Sequence, residues 1–176
     1  MFTQADMSQE SECRRVADTC IQAFGRAVIL VNNAAAFVLN SLEATPEDWK
    51  KVMETNVFGY AYLMRFVAEQ MKQSGGGSIV NLASMSSVIA QPRLLTYNAS
   101  KGAVLQMTRC AALDLAPDNI RVNCVCPGVI WTEQVQRMAD ENGLTRDQAA
   151  AEWGAMQMIP RVGEPREVAF AILFLA

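Results

Sequence analysis

Three short apolar runs constrain this chain more than anything else in it: A-V-I-L-V at 27–31, S-I-V-N-L-A at 78–83 and R-V-N-C-V-C at 121–126. The first is too short and too β-branched for a helix. It also lacks the alternation of a half-wet strand, so it reads as a strand buried on both faces. Helical patterns separate the runs, and strands alternating with helices imply a parallel sheet covered by helices on both sides. Such sheets bind ligands beyond the carboxyl ends of their strands.

Taken in order, residues 2–5 read as a further short strand ending at Asp6, with Ser8 capping the helix after it. In that helix Cys13, Val16, Ala17, Cys20 and Phe24 recur at helical spacing, and Gly25 stops it. Thr45, Pro46, Glu47 and Asp48 form a strong helix start, a cap followed by a first-turn proline and acids at the positive end. The helix they open extends to about residue 74 and carries one polar residue, Asn56, in its apolar stripe. A buried amide without partners costs ~1–3 kcal/mol, so Asn56 is expected to bond a neighbouring loop backbone. Gly75, Gly76 and Gly77 precede a strand and read as a turn, not as a phosphate cradle. Further helices are expected at about 96–115, at 133–141, at 146–158 behind a Thr145 to Gln148 capping box, and from Pro165 onward.

The run at 78–83 delivers Ser84 at its end, and Tyr97 opens the next helix with Lys101 four residues on, which puts both side chains on one face. A cation beside a phenol favours the phenolate and lowers a pKa that starts near ~10. That is the chemistry of a general acid/base. A serine hydroxyl from the strand end can bond an oxygen whose charge changes during reaction. Such a pair is also found as a half-buried ring with a solvated amine. The balance tips because Asp6, Asn32 with Asn33, Ser84, and Pro127 with Gly128 all fall at strand ends, with Asn56 on the preceding helix.

Composition narrows the chemistry. Histidine is absent, which removes His-dependent triads and the commonest metal ligand. The five cysteines have no metal-type spacing, so reduced thiols and a cytoplasmic setting are expected. A net charge of -3 gives no footprint for nucleic acid or an anionic membrane, and neither is expected as a partner. The longest apolar run, 168–176, falls far short of the ~20 residues of a membrane span.

N-N-A-A at 32–35, Asn56, Ser84, Y-N-A-S-K at 97–101 and P-G-V-I-W-T at 127–132 together resemble the short-chain dehydrogenase/reductase family, in its order and spacing. The resemblance implies a Rossmann-type doubly wound parallel sheet and an NAD(P)(H)-dependent oxidoreductase acting on a small alcohol or carbonyl. It implies that Tyr97 gives or takes the proton, and that Lys101 lowers its pKa and binds the nicotinamide ribose. Ser84 would hold the substrate oxygen, and Asn56 would anchor a water of the proton relay. Asp6 would meet the adenine, Asn32, Asn33, Ala34 and Ala35 would line the cofactor, and Pro127, Gly128, Val129 and Thr132 would cradle its nicotinamide end. A homo-oligomer, dimer or tetramer, is implied for a complete protein. Ala35 stands where the family more often has glycine, and Val28 where it usually has aspartate.

The family's opening strand, Gly-rich turn and helix have no counterpart, since no G-x-G-x-x-G precedes a helix. The expected architecture is therefore one incomplete Rossmann domain over 1–176 that lacks the family's first two strands and its last, with a lid-like helical segment at about 133–160. There Trp131, Met138, Trp153, Met156 and Met158 suit an apolar pocket or a core. The run at 27–31 would become an uncovered apolar edge. Weak stability, weak cofactor binding and little activity follow for the chain alone, and a non-catalytic partner of a full-length relative is the alternative.

Overall fold

The structure, a computed structural model, describes residues 1–176. Two compact units divide the chain, Met1–Cys126 with Leu175–Ala176, and Pro127–Phe174.

In the first unit, helix α1 (Glu10–Phe24) leads to strand β1 (Ile29–Asn32), and α2 (Pro46–Met53) continues through a π-helical turn (Glu54–Phe58) into α3 (Gly59–Gln73). Strand β2 (Gly77–Leu82), helix α4 (Leu95–Leu115) and strand β3 (Ile120–Val125) follow. The strands form one parallel sheet in the order β1-β2-β3, with Asn32 opposite Asn81 and Asn81 opposite Cys124. An apolar core of Ala17, Leu63, Val67, Met71, Ile79 and Val122 joins α1 and α3 to the sheet, and Cys13 fills it as a buried free thiol. Thr45 caps α2 in a complete capping box with Asp48.

Several expectations are corrected. Residues 2–5 form no strand; β1 pairs only with β2, so they have no neighbour to bond, and Phe2 stays exposed. The sheet therefore begins with the strand near residue 30. Strand β1 is not buried on both faces but is the uncovered apolar edge also expected of it: Ile29 is 51% and Val31 40% exposed, because they face outward at the sheet edge while Leu30 packs on the core. Ser8 does not cap α1, whose N-cap is Gln9; it donates from both its backbone N–H and its hydroxyl to Asp6. The helix begun at Pro46 is one rod only by way of its π turn. At the glycine turn, Gly76 has φ 124°, and a Cβ there would sit 2.3 Å from the Asn119 carbonyl oxygen.

The second unit holds α5 (Glu133–Glu141), α6 (Arg146–Gly154) and α7 (Pro165–Leu175, the last residue being grouped with the first unit). Thr132 caps α5 and Thr145 caps α6 with Gln148 in a capping box. Helix α6 stops at Gly154, four residues earlier than expected, where a Cβ would lie 2.9 Å from the Arg161 backbone. Arg161 grips Glu167 through two N–H groups and holds its carboxyl at about 2. Met156 and Met158 are exposed at 72% and 104%, so neither fills a core or an enclosed pocket.

Candidate active site

All four residues assigned acid/base roles lie in the first unit, and each is placed by a different local device. Asn56 sits in the π turn and is fully buried. The extra residue of such a turn bulges the helix, a device frequent at functional sites. Its Oδ1 accepts from the Ala36 N–H at 2.6 Å, and its Nδ2 donates to the Ala36 carbonyl at 3.0 Å and to Ser100 Oγ at 3.0 Å. The amide therefore clamps the loop after β1 to α4, as its place in an apolar stripe required. Ser100 Oγ donates in turn to the Tyr97 carbonyl. Gly59 follows because a Cβ there would lie 2.3 Å from the Met7 carbonyl oxygen.

Ser84 caps a short 3-10 turn (Met85–Ser87), accepting from the Ser86 N–H and donating to its hydroxyl, each at 3.1 Å. Tyr97, in the first turn of α4, is half-buried with the Phe37 ring tilted against it at 4.4 Å between centroids. Burial pushes its phenol above the ordinary value, and the neighbouring Ser84 hydroxyl pulls the other way.

Lys101 lies deeper than the other three except Asn56. It is 2% exposed, not a solvated amine, and its Nζ donates to the Leu82 carbonyl at 2.6 Å. The ammonium stands 5.6 Å from the ring centroids of both Tyr97 and Tyr60. Burial lowers it to about 8, with Cys126 opposing. The expectation that Lys101 depresses Tyr97 is thus corrected: the cation faces the ring, and desolvation of the phenol dominates.

Of the residues assigned to a cofactor, Asn33, Ala34 and Ala35 are exposed just beyond β1. Asn32 is buried, donates from Nδ2 to Asn81 Oδ1 at 2.8 Å, and leaves its own Oδ1 without a protein partner. Asn81 passes the chain on to Thr108 at 3.0 Å, so a ladder of buried polar groups crosses from β1 to α4. Asp6 is exposed and its carboxyl is held low by the two bonds from Ser8. Pro127, Gly128, Val129 and Thr132 lie in the second unit; there Val129 N–H donates to Gln157 Oε1 at 3.1 Å and Gly163 N–H to the Val129 carbonyl at 2.9 Å.

Sequence reasoning missed Ser100, Tyr60 and the Leu82 carbonyl. Ser100 was recoverable, standing just before Lys101 and on the side of α4 that must meet Asn56. A backbone acceptor such as Leu82 leaves no mark in a sequence.

A three-stranded parallel α/β sheet with a tyrosine, a buried lysine and a serine at its carboxyl rim is a Rossmann-type core. Residues 1–176 match the family described as enoyl-(acyl carrier protein) reductase. An uncharacterized oxidoreductase of Thermotoga maritima is 37% identical, the alignment covering 99% of this chain and 69% of that one. A cyclopentanol dehydrogenase of Comamonas is 37% identical over 99% of this chain and 68% of its own. Two solved structures superpose closely. One is ElxO with NADP bound (TM-score 0.91, 29% identity, 100% of this chain and 70% of that one). The other is NAD+-bound xylitol dehydrogenase (TM-score 0.85, 30% identity, 97% and 70%). The chain belongs to the short-chain dehydrogenase/reductase family. It spans 57 to 69% of the length of the curated relatives it matches.

Proposed function

We propose that these residues carry the acid/base share of an oxidoreductase that interconverts a small alcohol and a carbonyl with NAD or NADP. The observation that carries this reading is the gathering of Tyr97, Ser84 and buried Lys101 at one strand-end rim. The names of the relatives support it: one acts on cyclopentanol, and the two matched structures hold NADP and NAD+.

The nicotinamide, when bound, supplies or accepts the hydride. Tyr97 gives its proton to the carbonyl oxygen in reduction and takes one from the alcohol in oxidation. Burial, which raises this phenol, keeps the proton in place at neutral pH until the reaction calls for it. The Ser84 hydroxyl donates to the same oxygen as its charge changes. Lys101 has three N–H donors and spends one on Leu82; two remain to meet a cofactor's ribose hydroxyls, so its donor set fits that group. Asn56 holds the π turn and would anchor a relay water, and Asn32, Asn33, Ala34, Ala35 and Asp6 are the residues that would hold the cofactor. Pro127, Gly128, Val129 and Thr132 are assigned to the nicotinamide end by resemblance alone, and the acid/base reading does not depend on them.

No glycine-rich turn opens a helix in these residues, so the chain alone should bind NADH or NADPH weakly and turn over slowly. Fluorescence titration with each nucleotide and a hydride-transfer assay on cyclopentanol test both points. Tyr97→Phe should cut whatever turnover is seen by ~10²–10⁴. Unchanged turnover in that variant would remove Tyr97 from the chemistry, and micromolar affinity in a monodisperse sample would overturn the weak binding. A second reading, a non-catalytic partner, draws on the partial length shared with relatives. It requires that the Tyr97→Phe chain still raise the activity of a complete relative when mixed with it.

A further inference from the structure

Phe37 lies in the stretch after β1, residues 33–40, that forms neither helix nor strand. Loop side chains are ordinarily the mobile ones, so a ring held in place there has something holding it. On its N-terminal side both backbone groups of Ala36 are spent on the buried Asn56 amide, the N–H donating to Oδ1 at 2.6 Å and the carbonyl accepting from Nδ2 at 3.0 Å. On its C-terminal side Asn40 Nδ2 donates to Asp48 Oδ2 at 2.8 Å, the carboxylate that also closes the α2 capping box. Phe37 stands between these two pins, directly after the first.

Held there, its ring packs on neither of the two apolar cores. It meets Tyr97 instead, with 4.4 Å between ring centroids and 54° between ring planes. Rings that close touch, and water has no room between them. The contact does two things to the phenol: it limits the turning of the Tyr97 ring about its side-chain bonds, and it takes water from the side that Phe37 covers. Both bear on the rim, where the Lys101 ammonium stands 5.6 Å from the Tyr97 ring centroid and keeps that relation only while the ring stays put.

We propose that Phe37 is a positioning residue for the acid/base tyrosine: fixed by the Asn56 clamp on Ala36, its ring sets the orientation of the Tyr97 side chain and shields the side of the phenol that it covers. Asn56 then acts on Tyr97 by two routes, through Phe37 and through Ser100, whose hydroxyl donates to the Tyr97 carbonyl. The inference deepens the reading of Tyr97 given above and rests on that reading for its catalytic meaning, while the contact itself is tested without turnover.

The groups that bear on this phenol are the Ser84 hydroxyl after β2, the Lys101 ammonium on its own helix and the Tyr60 phenol on α3. Burial, which raises the phenol, slows its attack on an electrophile, and lifting the Phe37 ring off it should restore reactivity. The measurement is nitration of the full chain by tetranitromethane at pH 8, mapped to each tyrosine by mass spectrometry, with Tyr60 and Tyr62 as references. Phe37→Ala should raise the nitration rate of Tyr97 severalfold and leave the two references unchanged. Phe37→Tyr, which keeps a ring in place, should restore the slow wild-type rate at Tyr97. A Tyr97 rate that does not rise in Phe37→Ala overturns the proposal, and so does a rise shared by Tyr60 and Tyr62, which reports general loosening. Where Phe37→Ala fails to fold, Phe37→Leu carries the same readout with a smaller rise, and no rise there overturns it too. Turnover separates this proposal from the reading beneath it: unchanged turnover in Tyr97→Phe removes the acid/base reading and the positioning role with it, whereas lost turnover with an unmoved nitration rate in Phe37→Ala removes the positioning role alone.

Discussion

Strands β1 and β2 lie side by side, read almost alike in sequence (I-L-V-N against G-S-I-V-N-L), and end in opposite surroundings. In β2, Ile79, Val80 and Asn81 are all completely buried, while in β1 Ile29 and Val31 are 51% and 40% exposed. An apolar, β-branched run therefore specifies a strand, and its neighbours decide whether the run becomes core or edge. The same contrast separates polar from apolar burial. At the sheet's carboxyl rim the molecule hides two asparagines of the ladder, Asn56 and a lysine, and at the β1 edge it shows isoleucine and valine to water. Polar groups are buried where partners hold them, as Asn81 is held by Asn32 and Thr108.

The largest expected difference between the two strands is in truncation. Ile79→Ala should destabilise by roughly 2–5 kcal/mol, because it opens a cavity in a site that is fully packed. Ile29→Ala, half exposed at the edge, should cost less than about 1 kcal/mol. Urea unfolding of both variants decides it. Equal costs would mean that β1 is covered in solution.

Much of this was legible beforehand. The three strands, the helix at 46–74, the Thr45 and Thr145 caps and the convergence of Asn56, Ser84, Tyr97 and Lys101 near one rim all follow from periodicity and spacing. The exposure of β1 was legible too, as the uncovered apolar edge expected at 27–31. What could not be read were contacts made by groups without sequence identity. The Leu82 carbonyl is one, and it accepts from the buried Lys101 ammonium at 2.6 Å. The burial of Tyr97 is another, and it reverses the direction expected for that phenol. The strand imagined at 2–5 failed for the reason β1 is an edge: pairing is a property of two segments, and only one is present there.

A smaller effect sharpens the polar side of the contrast. Lys101 is lowered by burial from an ordinary 10.5 to about 8. A lysine lowered on folding binds its proton less tightly in the folded chain than in the unfolded one. Its burial therefore costs stability in full below the folded value, and the cost is relieved as pH rises from there toward the unfolded value. Between pH 8 and 9 the relief is about 1 kcal/mol. Above that, Cys124, which burial raises to about 11, works in the opposite sense. Comparing wild type with Lys101→Met isolates the lysine: the stability gap between them should change by about 1 kcal/mol in favour of the wild type over that interval. A gap independent of pH would place the ammonium in water.

The smallest effect on stability is expected at the edge, where the readout is association. Ile29→Lys puts a charge on a residue that already faces solvent, so unfolding should shift by no more than about 0.5 kcal/mol. Strand edges with unpaired backbone groups and apolar side chains recruit other strands, and an edge lysine is a common means of preventing it. Ile29 and Val31 sit on one face of β1, two residues apart, beside a backbone that pairs on one side only. Sedimentation velocity over a concentration series should show self-association of the unmodified chain that Ile29→Lys reduces, while Ile29→Ala reduces it less. The order matters more than the amounts. If charge and truncation act alike, lost apolar area explains the result, and the open backbone edge of β1 has no part in it.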